Sequence, residues 1–114
     1  MPRRFRRIWF KPLFIPRIVE GVKTVTTRDH ECKAGGYKAA TGSFYRPSDF
    51  AVIRIVEAWK RKDFQEMVDD WRREGFLSLA EFEQFAKESG LGEKYSKAQK
   101  LWGHRFELLE VLPQ

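Results

Sequence analysis

The sequence predicts an α+β domain in which a small, mostly antiparallel β-barrel or curled sheet is flanked by about three helices. Segments of strand length alternate with helical patterns at irregular intervals, which argues against a regular parallel βαβ sheet. One long segment, residues 50–60, alternates apolar and polar side chains as a half-buried strand does. Two helix starts follow it, each with its own capping residues.

The first half of the chain is predicted to hold three shorter strands and one helix, each ended by a turn-forming residue. Pro12 ends the first strand, and Gly21 suits the C-cap of the helix. The predicted elements are a strand at residues 8–10, a helix at 16–20, a strand at 23–28, a loop at 29–36, a weak strand at 38–46 and a turn at 47–49.

The second half begins with two helices and closes with a strand. Asp63 with Glu66 forms one capping pair, and Ser78 with Glu81 forms another. The first helix is expected to stop at Gly75, and the second at residue 90, also a glycine. Residues 93–101 fit either a turn of helix or a loop, and residues 104–112 form the last predicted strand.

Length and composition predict one folded domain in a reducing compartment. The chain has 114 residues, of which 42% are hydrophobic and 15% aromatic, too apolar for a disordered chain. Cys32 is the single cysteine, so no internal disulfide can form. No apolar run approaches the ~20 residues of a membrane span. We therefore expect a cytoplasmic monomer with a basic N-terminal extension (residues 1–7) before one domain (residues 8–114), and no membrane association.

The positive charge is concentrated at the start of the chain. The net charge is +6, and residues 1–28 contain eight basic side chains and one acid, so this segment carries +7 and the remainder −1. Aromatic side chains are interleaved with these cations, and the two together suit phosphates and stacked bases. A solvated tail preceding core aromatics is the alternative interpretation.

The segment from residue 21 to residue 28 (G-V-K-T-V-T-T-R) has the clearest functional pattern. In a strand, Thr24, Thr26 and Arg28 share one face, and Lys23 at the strand's entry could still reach the side of Thr26. Hydroxyls, an ammonium and a guanidinium together suit an anionic ligand, or a nucleophile paired with a base. An ordinary polar edge strand, with threonine present for its β-propensity, explains the same residues.

This segment resembles the G-x-K-T-x-T-x-R signature of the ASCH family, which lines the cleft of a PUA-like β-barrel. Three further stretches resemble the same family: F-A-V-I-R-I-V-E at residues 50–57, E-G-F-L-S-L-A-E-F at 74–82 and R-F-E-L at 105–108. The family often has a K-x-G-D-like turn between its second and third strands. Here no aspartate follows the glycine in either candidate turn, at residues 33–36 or 38–43.

The resemblance implies RNA or a modified nucleoside as the ligand. Some small ASCH proteins are amidohydrolases that remove the acetyl group from acetylcytidine. By motif position, their catalytic lysine, threonine and glutamate fall on Lys23, Thr26 and Glu74. A neutral Lys23 would take the proton of Thr26, although a carboxylate beside Lys23 raises the lysine pKa and opposes this role. A non-catalytic RNA-binding module and a ribonuclease-type ASCH protein remain alternatives.

Further ligand contacts are expected from basic and aromatic residues of the N-terminal quarter. The candidates for RNA or nucleoside binding are Arg28, Arg6, Arg7, Lys11 and Trp9. No cofactor is expected, since the chain contains neither of the phosphate-binding glycine motifs. No metal site is expected either, because His30 and Cys32 lie two apart in a glycine-rich loop and His104 is distant in sequence.

Overall fold

The computed structural model describes residues 6–96 and 100–113, and these form five strands and four helices. A single sheet has the strand order β1-β3-β4-β5-β2, with β1 and β2 at its two edges. The elements are β1 (Arg6–Trp9), α1 (Phe14–Val19), β2 (Val25–Arg28), β3 (Gly35–Ser43), β4 (Arg46–Arg61), α2 (Phe64–Asp69), α3 (Leu79–Ser89), α4 (Leu91–Ser96) and β5 (Leu101–Val111).

The sheet curls into a half-barrel because its longest strands are bulged. β1 runs parallel to β3, and the other three strand pairs are antiparallel. The register shifts between Ala39 and Ala40 on β3, and twice along β4. Bulges of this kind increase local twist and bend the strand. The predicted α+β fold with a mostly antiparallel curled sheet is confirmed, with four helices in the described residues where about three were expected.

Several predicted boundaries move. The turn expected at residues 47–49 is wrong: Ser43 pairs with Arg46, so the chain reverses at residues 44–45 and β4 already includes Pro47. Proline is tolerated there because this end of β4 pairs with β3 alone, and β5 joins only from Ala51 onward. Residues 35–36, expected in a loop, belong to β3, and β1 begins at Arg6, two residues earlier than predicted. Residues 1–5 of the predicted extension lie outside the described residues.

Both predicted capping residues start their helices. Asp63 Oδ1 accepts a hydrogen bond from Glu66 N at 3.2 Å, and Ser78 Oγ accepts one from Glu81 N at 3.0 Å. Gly90 caps α3 with a φ of 69°, as predicted. The prediction that Gly75 stops the first of these helices is wrong, because α2 ends at Asp69 and a series of turns follows.

The core lies between the concave face of the sheet and the helices. Phe10 packs edge-on to Phe50 at the centre of the sheet, and Phe76 contacts Phe82 at a ring-centroid distance of 4.8 Å beneath α3. Trp59 lies flat on its cross-strand partner Gly103, where an added Cβ would come within 2.6 Å of the ring. Within the described residues, no helix combines the length and apolar character needed to cross a membrane.

His104 ties the loop after β2 to the sheet. It is fully buried on β5, where its Nδ1 lies 3.2 Å from the carbonyl oxygen of Thr26 and its Nε2 accepts a hydrogen bond from Cys32 N at 2.8 Å. These contacts require a neutral ring that carries its proton on Nδ1. Burial lowers the pKa of His104, in agreement with that tautomer.

We therefore expect acid to destabilise the fold through His104. Below pH ~6.5 the unfolded chain binds a proton that the folded ring resists, so the free energy of unfolding should fall as pH drops, by up to about 1.4 kcal/mol per pH unit. Above pH ~6.5 this contribution is complete. Urea denaturation at pH 7.5 and 5.5 should show a smaller difference for His104→Gln than for the wild type. The control His30→Gln, at an exposed site, should keep the wild-type difference. The same difference in the free energy of unfolding between the two pH values in all three proteins would contradict the role of His104.

Candidate functional site

A cavity of about 200 Å³ opens between the two sheet edges and the helices. All three residues predicted to be catalytic line it, as do three of the five predicted to bind ligand. Its walls combine cations, hydroxyls and aromatic rings. The lining residues are Trp9, Phe10, Lys11, Phe14, Lys23, Thr26, Thr27, Arg28, Met67, Glu74, Phe76, Phe85, Leu91, Lys94 and Tyr95.

Lys23 enters the cavity just before β2 and is 3% exposed. Its Nζ donates to the carbonyl oxygens of Val25 at 2.9 Å and Glu74 at 2.6 Å, and lies 3.4 Å from Glu74 Oε1. The ammonium also lies 4.5 Å from the centre of the Phe14 ring. Burial lowers the pKa of Lys23 to about 8, although Glu74 acts in the opposite direction.

Gly75 allows the connection between α2 and α3 to press against the stem of Lys23. It has a φ of +98°, which L side chains rarely adopt. An added Cβ would lie 2.5 Å from the Cβ of Lys23. This glycine therefore fixes both the position of Glu74 beside the cavity and the packing of the lysine.

Glu74 is the centre of a buried ion network formed by Lys23, Thr27, Arg61, Asp70 and Glu74. Its carboxylate is 1% exposed, and Oε2 accepts hydrogen bonds from Thr27 Oγ1 at 2.5 Å and Arg61 Nη2 at 3.3 Å. Arg61 Nη2 also lies 2.9 Å from Asp70 Oδ2, and its Nε donates to Thr27 Oγ1 at 2.9 Å. Two cations and two carboxylates belong to these five residues, and Asp70 also pairs with Arg73, at 2.6 Å, on the outer side.

Sequence reasoning missed Thr27 and Arg61. A signal for Arg61 was present, because it follows Trp59 by two residues and so has the parity of the apolar face of β4. A cation on such a face needs a buried partner. Thr27 has no comparable signal, since its face of β2 could equally have been exposed to solvent.

Thr26 and Arg28 lie outside the network but line the same cavity. Thr26 is 4% exposed, and its hydroxyl takes no part in the hydrogen bonds that join the network. Arg28 donates from Nη2 to the carbonyl oxygen of Trp9 at 2.7 Å, and its guanidinium lies 5.0 Å from the centre of the Phe10 ring. Arg28 thus links the two sheet edges, β2 and β1, where no strand pairing closes the half-barrel.

Arg28 forms no ion pair with another described residue. Its Nε is buried and has no hydrogen-bond partner among those residues. Burial lowers the pKa of Arg28, and the more distant charges of Glu74 and Asp29 act in the opposite direction. A buried donor without a partner is costly, and Arg28 carries this cost at the wall of the cavity.

The remaining predicted binding residues divide into two groups. Trp9 and Lys11 line the cavity. Arg6 and Arg7 do not: Arg7 forms a two-point ion pair with Asp49, at 2.8 and 3.1 Å, and Arg6 stacks 4.6 Å above the Tyr37 ring. The ion pair neutralises part of the N-terminal charge that the sequence suggested for polyanion binding.

Comparison with known proteins supports the fold predicted from the signature. No family model and no curated protein sequence matches the chain. A serine-to-alanine variant of ZmASCH from Zymomonas mobilis superposes with a TM-score of 0.61 at 17% identity, covering 98% of this chain and 76% of that one. A tyrosine-to-phenylalanine variant of the same protein gives 0.58 at 16% identity, covering 96% and 76%.

A third solved structure, protein EF3133 of family DUF984 from Enterococcus faecalis V583, gives a TM-score of 0.54 at 17% identity, with 97% of this chain and 79% of that one covered. At these identities the similarity concerns the fold. The chain therefore shares the α+β fold of the ASCH structures, as its signature predicted.

Removing the central carboxylate should destabilise the fold. Glu74→Ala would leave two buried cations, Lys23 and Arg61, without their shared partner, so the free energy of unfolding should fall by about 3–5 kcal/mol. Urea denaturation measures this loss. The matched control is Glu83→Ala on the exposed side of α3, which should change stability by less than about 0.5 kcal/mol. Similar losses of unfolding free energy in both variants would show that the ion network does not stabilise the fold.

Proposed function

We propose that the cavity binds a modified nucleoside, free or within RNA, and that the chain hydrolyses the acetyl amide of acetylcytidine to give cytidine and acetate. The observation that carries this proposal is Arg28, a partly buried cation that forms no ion pair among the described residues and lines the same cavity as Thr26 and Lys23. An amide carbonyl supplies an acceptor for its guanidinium. Its oxygen becomes negatively charged during acyl transfer, which a nearby guanidinium stabilises.

The size and walls of the cavity suit one base. Its volume of about 200 Å³ is below the ~300–1,000 Å³ typical of pockets for drug-sized ligands. Aromatic side chains on opposite elements offer surfaces for an aromatic ligand: Trp9 ends β1, Phe10 follows it, and Tyr95 lies on α4. A base with a small acyl substituent therefore fits better than a larger ligand.

The reaction begins with attack on the acetyl carbonyl carbon. Thr26 Oγ forms the new C–O bond while its proton passes to neutral Lys23, and the guanidinium of Arg28 donates to the carbonyl oxygen. The C–N bond then breaks, and the cytosine amine leaves with the proton returned by Lys23. Water, deprotonated by the same lysine, hydrolyses the Thr26 acetyl ester and releases acetate.

Lys23 has the environment that this role requires. With a pKa of about 8, a substantial fraction is neutral near physiological pH, whereas an ordinary lysine is not. The neutral amine keeps two N–H donors and gains a lone pair, so one of its three acceptors must be released. Glu74 Oε1, the most distant at 3.4 Å, is the contact most easily given up.

A second candidate function is binding without chemistry. The hydrogen bonds of Lys23 favour it, because an ammonium that donates to three acceptors has no lone pair for a proton. In that case Lys23 supports the cavity wall, and Arg28 with Lys11 holds the ligand. The two candidates differ in their demand on Thr26, since only the hydrolase needs its hydroxyl.

Replacement of that hydroxyl separates them. Thr26→Val should reduce deacetylation of acetylcytidine at least a hundredfold, because it removes the nucleophile while keeping the side-chain shape. Chromatography of cytidine released from the free nucleoside and from acetylated RNA measures the rate. Thr24→Val is the matched control just before the same strand, and it should keep wild-type activity because Thr24 does not line the cavity. Equal activity in both variants, or no cytidine from the wild type, would leave the binding module as the function.

The pH dependence tests the role of Lys23. Because the neutral amine is the active form, kcat/KM should rise about tenfold per unit below pH 8 and level off above it. Lys23→Arg should lose at least a hundredfold in rate, since a guanidinium does not deprotonate. Lys94→Arg, a cavity-lining control, should keep the wild-type profile. A flat profile between pH 6 and 9 in the wild type would rule out Lys23 as the base.

A further inference from the structure

The β3–β4 hairpin exposes two aromatic rings at its tip. Phe44 and Tyr45 are 81% and 90% exposed, more than any other large hydrophobic side chain in the described part of the chain. Their rings meet edge-to-face, with centroids 5.7 Å apart and planes at 90°. Neither ring packs into the core, so the fold does not account for this pair, and exposed apolar side chains grouped in this way are typical of interaction surfaces.

The tip is held in a defined conformation. Gly42 has a φ of +95°, and an added Cβ would come within 2.7 Å of the carbonyl oxygen of Arg46. Ser43 Oγ accepts a hydrogen bond from Arg46 N at 3.1 Å across the turn. The two rings are therefore presented on a fixed backbone, which reduces the entropy lost when a partner binds.

A groove leads from the cavity to this tip. It shares Trp9, Phe10, Lys11 and Arg28 with the cavity and reaches Thr41 and Gly42 on β3. The hydrogen bond from Phe10 N to Ala40 O, at 2.8 Å, keeps the two sides of the groove together. Phe44 follows Gly42 by two residues, so it begins within about 7 Å of the end of the groove.

The path is cationic and aromatic along its length. Lys11 and Arg28 line the groove, and Arg46 is exposed at the hairpin tip. Among the described residues no carboxylate lines the groove, and residues 41–48 contain none. Cations that follow a backbone, alternating with rings on which bases stack, are the features that bind single-stranded nucleic acid. An acidic protein surface would use the cations but not the two exposed rings.

We propose that the hairpin tip is a second contact for single-stranded RNA: one base occupies the cavity, the backbone follows the groove past Lys11, and a flanking base stacks on Phe44 or Tyr45. This inference rests on the proposed function for the cavity as a base-binding site, and it does not require catalysis. It specifies a nucleotide within a chain, rather than a free nucleoside, as the ligand that uses the whole surface.

Binding of a fluorescently labelled uridine octamer, followed by anisotropy, tests the hairpin. The double variant Phe44→Ala, Tyr45→Ala should bind about tenfold more weakly or worse, since both rings are lost. Leu77→Ala, which truncates another exposed apolar side chain (66%), should bind within twofold of the wild type. Phe44→Trp, made in the wild type, should keep the wild-type affinity because it retains an aromatic ring. The fluorescence of the added tryptophan should be quenched on addition of the octamer. Because the rings are exposed, thermal unfolding of the double variant should match that of the wild type.

Equal octamer affinity in the double variant and the wild type would overturn the inference. The inference would also be overturned if the double variant kept its octamer affinity but lost binding to anionic phospholipid vesicles or lost self-association. The deacetylation assay is independent of this result. Wild-type protein that releases no cytidine, together with a hairpin variant that binds the octamer weakly, would refute the hydrolase and support the hairpin contact. Deacetylation by the wild type, together with a hairpin variant that binds the octamer as well as the wild type, would support the hydrolase and refute the hairpin contact.

Discussion

The structure depends on one buried carboxylate. Glu74 is the shared partner of Lys23, which follows α1, and of Arg61, which ends β4. Burying either cation alone would cost several kcal/mol, and the connection that carries Glu74 could not approach Lys23 so closely without Gly75. The network therefore fixes how the α2–α3 segment sits against the sheet, and with it the wall of the cavity. Phe14 packs against Phe76 beside the network, but this apolar contact does not determine which polar side chains face inward.

Glu74 is engaged by Lys23, Thr27 and Arg61, and Arg28 forms no ion pair among the described residues. The same guanidinium bonds the carbonyl of Trp9 and so spans the open side of the half-barrel. On the proposed function, the ligand contacts the same side chain that joins the two sheet edges. Ligand binding in the cavity and closure of the sheet would then both depend on Arg28.

Local signals in the sequence predicted local structure well. Asp63 and Ser78 cap helices because their partners lie three residues away, and residues 50–60 alternate because one face is buried. The turn at residues 47–49 was predicted from proline and serine, but cross-strand pairing determined where the chain reversed. The signature pointed to Lys23, Thr26 and Glu74, which line one cavity. Arg61, a partner of Glu74, came from β4, and Asp70, a partner of Arg61, from the end of α2, contacts that no local pattern specifies. The isolation of Arg28 is likewise a property of three dimensions, since Asp29 beside it in sequence bonds His30 instead.

On the proposed function, the geometry around Lys23 is a compromise between stability of the fold and reactivity of the amine. A shorter contact with Glu74 would strengthen the ion pair, but it would also raise the lysine pKa and keep the amine protonated. At 3.4 Å the carboxylate neutralises the buried cation only weakly, and its other oxygen is held at 2.5 Å by Thr27. Thr27 therefore competes with Lys23 for Glu74, which leaves burial as the dominant influence on the lysine. The two adjacent threonines of β2 thus differ in role. Thr27 holds the Glu74 carboxylate by a hydrogen bond, and the Thr26 hydroxyl makes no hydrogen bond to the network.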